Sequence, residues 1–97
     1  MQLSAHFEGN TKPLATKKIL AGGEGTAILI RLLENAILPT HITKVPAKLI
    51  CLEGSATYSE VEGRTIDLEP HASVEIPVNH EHAVKADQNG ALLILLK

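Results

Sequence analysis

The sequence predicts an all-β fold, and two observations carry that prediction. Turn-forming residues recur about every 8–12 positions, with β-rich segments between them, a spacing typical of sandwiches and barrels. The stretch 28–33 is apolar except for Arg31 and lacks the amphipathic stripe of a surface helix. A helix over residues 26–36 is the main alternative, because Leu, Ala and Glu favour helices. A strand covered on both faces fits the apolar stretch better.

The predicted strands are short, and each ends at a turn. The turns are predicted at residues 21–25, 34–35, 53–54, 62–63, Pro70, Pro77 and 87–90. The strands between them are predicted over residues 17–20, 26–33, 48–52, 55–61, 65–68, 73–76, 82–85 and 91–96. The last strand has five Leu or Ile residues among six, and as an exposed edge it would promote aggregation. We therefore expect it to pair within a barrel or across a dimer.

The length of the chain limits it to one small domain. We place this domain over residues 1–97, with an N-terminal arm at 1–16, and we expect the lysine-rich stretch 12–18 to be solvated. A chain of this length buries only about 60–65% of the surface that its unfolded form exposes. Phe7 and Tyr58 are the only aromatic residues, so Ile, Leu, Val and Ala must build the core. Because the margin of stability is thin, we expect a homodimer.

Charge and cysteine content argue against several classes of protein. The net charge of −2, from nine basic and eleven acidic residues, does not favour binding to nucleic acid. No apolar run approaches the roughly 20 residues of a membrane helix. Cys51, the only cysteine, cannot form an intrachain disulfide and is compatible with a reducing compartment. We expect a cytoplasmic protein that binds neither nucleic acid nor membranes.

Five histidines are a rich supply for a chain of 97 residues. His80 and His82 are separated by one residue, so on a strand both imidazoles would lie on one face. Two or three imidazoles facing a cavity can bind a divalent transition metal. A single histidine, however, is more often a surface or hydrogen-bonded residue than a metal ligand, so the histidines need support from a larger pattern.

Two groups of five residues provide that pattern. The groups are Asn35, His41, Thr43, Ala47 and Gly54, and then His71, Pro77, Asn79, His82 and Ala86. Their spacings resemble the two motifs of the cupin superfamily, with no insertion or deletion. In that family the first motif carries Gly, His, His, Glu and Gly at these positions, and the second carries Gly, Pro, Gly, His and Asn. The resemblance spans roughly residues 27–96.

The resemblance implies a double-stranded β-helix, or jelly-roll, cupin barrel over residues 27–96. It also implies that a metal would be held by the residues at 41, 43, 47 and 82. Only His41 and His82 keep ligand side chains, since Thr43 is a poor ligand and Ala47 cannot be one. Two imidazoles alone rarely hold a divalent ion tightly. Two alternatives for the cofactor therefore remain: a divalent metal (Zn, Ni, Mn or Fe), or none.

Two other side chains could complete the metal site. His80 shares strand parity with His82 and could provide a third imidazole; the alternative is a residue exposed at the rim of the barrel. Cys51 shares strand parity with Ala47 and could provide a thiolate; the alternative is a small buried apolar residue, the usual role of a free cysteine. We take His41, His82 and His80 as the candidate metal ligands.

The departures at the motif glycines affect the turns. Asn35 and Asn79 replace glycine with the residue that best tolerates a left-handed backbone, so these turns are expected to form. His71 is a less favourable replacement for glycine than asparagine is, and it indicates a different turn shape at that position.

Strand parity predicts a small pocket inside the barrel. Its expected lining is His41, Thr43, Leu49, Cys51, His80, His82 and Val84. An apolar pocket with imidazoles suits a small polar or anionic ligand, which is the function we predict. The alternatives are a metal-dependent enzyme (an oxygenase, isomerase or decarboxylase of a small acid or sugar) and a scaffold that only dimerises. No Asp or Glu is expected in the pocket, since Glu75 and Glu81 have the opposite parity to His82.

Overall fold

The computed structural model describes residues 2–22 and 25–97. A 3-10 helix at Leu3–Phe7 precedes seven strands: β1 (Leu14–Gly22), β2 (Gly25–Leu32), β3 (Ile37–His41), β4 (Ala47–Glu60), β5 (Thr65–Leu68), β6 (Ser73–Ile76) and β7 (His82–Leu96). All strand pairings are antiparallel, and the all-β prediction is confirmed. The helix considered for 26–36 is wrong, because β2 occupies most of that stretch. Among the described residues no helix has the length and apolar character needed to cross a membrane.

The strands form two sheets that share β4 and β7. Sheet I has the order β1-β2-β7-β4-β6 and uses the second half of β7 and the first half of β4. Sheet II has the order β3-β7-β4-β5 and uses the other halves of the same two strands. The inward side chains of both sheets join one apolar cluster, so the sheets pack face to face as a jelly roll.

Two glycines let β4 and β7 bend from one sheet into the other. Gly54 and Gly90 have φ angles of 73° and 75°, and the register of β4 against β7 shifts on both sides of Gly54. A Cβ atom at Gly54 would lie 2.9 Å from the carbonyl carbon of Gly90, which is closer than side chains tolerate. β4 can therefore cross β7 here only because Gly54 lacks a side chain, while a Cβ atom at Gly90 would lie 2.7 Å from the carbonyl oxygen of Leu32 on β2. We call this crossing the closed end of the barrel.

The core follows the alternation expected of half-buried strands. Leu49, Cys51, Tyr58, Leu68 and Leu93 are fully buried on the inward faces. The strand 91–96 lies between β2 and β4, so it is paired within the barrel, one of the two expected arrangements.

The N-terminal segment packs on the outer face of sheet I. Phe7 is only 4% exposed and joins an outer apolar cluster with Leu29 and Leu92. The Arg31 guanidinium lies over the Phe7 ring and donates hydrogen bonds to the carbonyl oxygens of Phe7, Asn10 and Lys12. These contacts hold the segment around Phe7 against sheet I.

The observed strands are fewer and longer than predicted. Strands over 65–68 and 73–76 occur with the predicted bounds. The turns predicted at 53–54 and 87–90 lie inside β4 and β7 instead. β1 extends beyond the strand predicted at 17–20 on both sides, and no strand was predicted where β3 lies. Residues 23–24, inside the turn predicted at 21–25, lie outside the described residues.

Candidate metal and ligand site at the open end of the barrel

Two histidines meet at the end of sheet II opposite the closed end. His41 is the last residue of β3, and His82 is the first residue of β7. They are register partners, and Glu60 at the end of β4 is the register partner of His82 on its other side. The His82 side chain is buried, with 1% exposure, whereas His41 is partly exposed. We call this end of the barrel the open end.

The orientation of the two imidazoles follows from their hydrogen bonds. His41 Nδ1 lies 2.8 Å from the carbonyl oxygen of Pro39, and His82 Nδ1 lies 3.0 Å from that of His80. A carbonyl oxygen only accepts, so both Nδ1 atoms carry the proton and both Nε2 atoms present lone pairs in the neutral rings. The two Nε2 atoms are 3.1 Å apart. Two lone pairs at this distance repel unless a proton or a cation lies between them.

This arrangement fits a divalent metal. Two imidazole nitrogens bound at about 2.0–2.1 Å to one ion lie about 2.8–3.4 Å apart for bond angles near 90–110°, which includes the distance of 3.1 Å between the two Nε2 atoms. Backbone carbonyls that hold the Nδ1 protons are the usual way to orient imidazole ligands. Burial lowers the pKa of His82, and the neighbouring His41 lowers it further, which favours the neutral ring that a metal requires.

A network of Tyr58, Glu60 and the half-exposed Arg64 packs beside His82. The Tyr58 ring stacks on the His82 ring, with centroids 5.6 Å apart. Tyr58 Oη donates to Glu60 Oε2 at 2.6 Å, and Arg64 Nη2 donates to the same oxygen at 2.6 Å. The Arg64 hydrogen bond, followed by that from Tyr58, lowers the pKa of Glu60. Burial, and then the bond to Glu60, raises the pKa of Tyr58 to about 12.

Thr43, at the position of the second histidine in the first motif, is buried in the loop after β3. Its Oγ1 atom is one of two buried side-chain polar atoms that lack a hydrogen-bond partner within the described residues. The amide of Asn79 donates to the Thr43 carbonyl oxygen at 2.9 Å, which ties the loop before β4 to the loop before β7. An unpaired buried hydroxyl is costly, so the Thr43 Oγ1 atom requires a partner such as a bound water or ion.

The structure does not bring His80 to the histidine pair. His80 precedes β7, so the strand parity assumed for it does not apply. Its Nδ1 contacts the Val78 carbonyl oxygen at 3.0 Å, and its Nε2 lies 3.3 Å from Glu62 Oε2. Among residues 2–22 and 25–97, no group of three or more His, Cys, Asp or Glu side chains is arranged to hold a metal.

The other predicted pocket residues lie in the packed interior. Leu49, Cys51 and Val84 are at most 1% exposed and belong to the apolar core cluster. Cys51 Sγ contacts the carbonyl oxygens of Glu53 and Gly54, and burial raises the pKa of its thiol. Cys51 lies three residues before Gly54 and behaves as the small buried residue that was its alternative interpretation.

Sequence reasoning missed the buried carboxylate of Glu60. The alternation Ala56, Tyr58, Glu60 on β4 puts all three side chains on the inward face. That alternation is present in the sequence, but the first motif points to position 47 for a carboxylate, and Ala47 stands there in place of Glu.

Backbone angles at the motif glycines agree with the two spacing patterns. All four positions occupied by glycine in the cupin motifs have positive φ: Asn35 (55°), Gly54 (73°), His71 (77°) and Asn79 (63°). The turns at Asn35 and Asn79 therefore form as expected. The different turn shape expected at His71 is not observed, because histidine adopts the same left-handed region there.

Comparison with solved structures identifies the class of fold. A cupin superfamily protein from Desulfitobacterium hafniense is similar with a TM-score of 0.85 and 13% identity, covering 100% of this chain and 87% of that chain. KdgF from Halomonas sp. is similar with a TM-score of 0.77 and 17% identity, covering 90% and 81%. A variant of oxalate decarboxylase from Bacillus subtilis has a TM-score of 0.78 and 20% identity, covering 88% of this chain but 25% of its own.

This protein therefore has the cupin fold, as its two motif patterns predicted. No family model matches the chain, and no curated protein matches it significantly.

Proposed function

We propose that this protein binds a divalent transition metal between His41 and His82, together with a small polar or anionic ligand at the open end of the barrel. The observation that carries the proposal is the pair of Nε2 atoms 3.1 Å apart, with each Nδ1 proton directed to a backbone carbonyl. The cupin fold and the oxalate decarboxylase and KdgF among its structural neighbours support a ligand-binding barrel of this kind.

The chain's own residues would hold and tune this site. His41 and His82 would bind the metal through Nε2, and the bound metal would act as a Lewis acid toward an oxygen of the ligand. Tyr58 holds the His82 ring by stacking, while Glu60 and Arg64 fix Tyr58. His80, whose ring nitrogens contact Val78 and Glu62, is left out of the proposed ligand set.

Metal content of the purified protein tests this proposal. The wild type, dialysed against zinc or nickel and then against buffer, should retain near-stoichiometric metal. A His41→Gln, His82→Gln double variant should retain almost none while melting cooperatively. A His6→Gln variant, with its substitution in the 3-10 helix far along the chain, is the matched control and should retain the wild-type amount. Equal metal in the double variant and the wild type, or none in the wild type, would contradict the proposal.

A metal-dependent enzyme (an oxygenase, isomerase or decarboxylase of a small acid or sugar) is the second candidate. The observation that favours it is the buried Glu60 carboxylate near His82, which adds a titratable group that sequence reasoning had missed. Metal-loaded protein incubated with a panel of small acids and sugars should then show turnover that His82→Gln abolishes. If no turnover occurred across the panel while metal was still bound, the enzyme hypothesis would be rejected and the binding function would remain.

We also propose that the protein is a cytoplasmic homodimer. A 97-residue chain buries a limited share of its surface, and Leu20 and Leu96 on sheet I remain 65% and 37% exposed. The buried thiol of Cys51 is compatible with a reducing compartment. Light scattering at micromolar concentration should give the mass of two chains, and a monomer would contradict the dimer.

A further inference from the structure

A groove at the open end is separate from the histidine pair. It has a volume of about 680 Å³, which is in the range of small-molecule sites. Its apolar wall comes from the loops and strand ends of sheet I, including Pro46, Ile76, Pro77 and Val78. Neither His41 nor His82 lines it.

The charged side chains around the groove are cationic in three of four cases. Lys48, Arg64 and Lys97 line it, with Glu75 as the one carboxylate side chain among its lining residues. Lys48 makes no ion pair within 4.0 Å in the part of the chain that the structure describes. This positive rim stands out on a chain whose net charge is −2.

Arg64 connects the groove to the histidine site. Its Nη2 atom donates to Glu60 Oε2 and, at 2.9 Å, to the carbonyl oxygen of Glu75 on β6. These bonds hold the guanidinium between the ends of sheet II and sheet I. Its Nη1 and Nε groups have no acceptor among the described residues, so they remain available to an anion in the groove.

Ala47 removes a charge that would oppose an anion. It stands where the first cupin motif has Glu, and here it presents only a methyl group to the groove. A carboxylate at this position would repel a second carboxylate nearby. Its absence leaves a site whose walls are apolar and whose rim is positive.

We infer that this groove binds a small carboxylate with a short hydrocarbon body. The body would pack against Pro46, Pro77 and Val78, and the carboxylate would lie toward Lys48 and Arg64. This inference rests on the proposed function, because it assigns the place and chemical class of the ligand whose binding was proposed there. It adds a site that does not include the two histidines.

Titration of metal-free, isotope-labelled protein with hexanoate tests the inference by NMR. Saturable shifts are expected at the amides of residues 46–48 and 75–78, with hexan-1-ol binding at least about tenfold more weakly because it lacks the charge. Lys48→Gln should weaken hexanoate binding about threefold, and Lys48→Glu at least about tenfold, as expected for a charge-assisted contact near the surface. Lys85→Gln and Lys85→Glu, on an exposed lysine of sheet II, are the matched controls and should leave the affinity unchanged.

Three results would overturn the inference: no saturable shifts, equal binding of hexanoate and hexan-1-ol, or shifts centred on His41 and His82. Use of metal-free protein separates the two proposals. Hexanoate binding in the groove of a protein that takes up no metal would leave this site standing and overturn the metal centre. Metal retention without hexanoate binding would overturn the groove site and leave the metal centre standing.

Discussion

The two ends of the barrel are built from the same two strands, β4 and β7, but they differ in structure. At the closed end β4 and β7 cross at Gly54 and Gly90, where the backbones are too close for side chains. At the open end the same strands finish in polar residues, with Glu60 and His82 as register partners. The closed end is determined by backbone sterics and apolar packing, whereas the open end contains buried hydrogen-bonding groups. Substitutions at the closed end should therefore act on the fold through backbone sterics, and those at the open end should act through charge, hydrogen bonding and binding.

Gly54→Ala should produce the largest effect on stability. The added Cβ would approach the Gly90 carbonyl carbon to 2.9 Å, and alanine would also have to adopt a φ of 73°. We expect a loss of about 4 kcal/mol or more in the free energy of unfolding, measured by chemical denaturation.

Gly63→Ala is the matched control for this substitution. Gly63 also has a positive φ, 117°, but a Cβ there meets no atom within 4 Å. It should lose only the cost of backbone strain, about 1–3 kcal/mol. If Gly54→Ala were no more destabilising than Gly63→Ala, the close crossing of β4 and β7 would be disproved.

Glu60→Gln should have an intermediate effect that depends on pH. It removes the charged acceptor shared by Arg64 and Tyr58, and a loss of about 1–3 kcal/mol is expected at pH 7. The pKa of Glu60 is lowered in the folded protein, so its stabilising contribution is present above the unfolded pKa and disappears as the pH falls through the folded value. The stability difference between wild type and variant should therefore shrink below about pH 4.3.

Glu62→Gln tests whether the effect is specific to the buried carboxylate. Glu62 lies on the same turn, and its side chain is 73% exposed. We expect it to change stability by less than about 0.5 kcal/mol. A Glu60→Gln difference that persisted undiminished at pH 3 would show that the charge of Glu60 does not stabilise the open end.

Thr43→His should change the affinity for metal rather than the stability of the fold. It restores a third imidazole at the motif position where a buried hydroxyl now lacks a partner. Zinc affinity, measured by competition with a chromophoric chelator, should rise about tenfold, equivalent to about 1.4 kcal/mol. Thr40→His, on the exposed part of β3, is the control and should leave the affinity unchanged. An unchanged affinity in a folded Thr43→His protein would place residue 43 outside the metal site.

The sequence predicted the fold well where local signals agree with long-range pairing. β5 and β6 have the predicted bounds because Gly63, Pro70 and Pro77 interrupt the chain at true turns. Gly54 and Gly90 produce the same local signal, yet they lie inside paired strands. A glycine that bends a strand has a neighbouring strand paired beside it, whereas a glycine in a turn does not. Whether a neighbouring strand is present depends on residues far along the chain.

The candidate site was predictable only in part for a similar reason. The motif spacing joined His41 to His82, but strand parity failed for His80 because β7 begins two residues later. The interior expected to be a pocket is filled around Leu49, Cys51 and Val84. The groove lined by Lys48 and Arg64 depends on how the two sheets approach each other, which no pattern within one strand records.

The central claim is that His41 and His82 hold one metal ion through their Nε2 atoms, and long-range ¹H–¹⁵N spectra of the imidazoles test it most directly. On addition of one equivalent of zinc at pH 7.5, both Nδ1 atoms should stay protonated, and both Nε2 resonances should move to the range of metal-bound nitrogen. Protonated Nε2 atoms that are unaffected by zinc would contradict the claim.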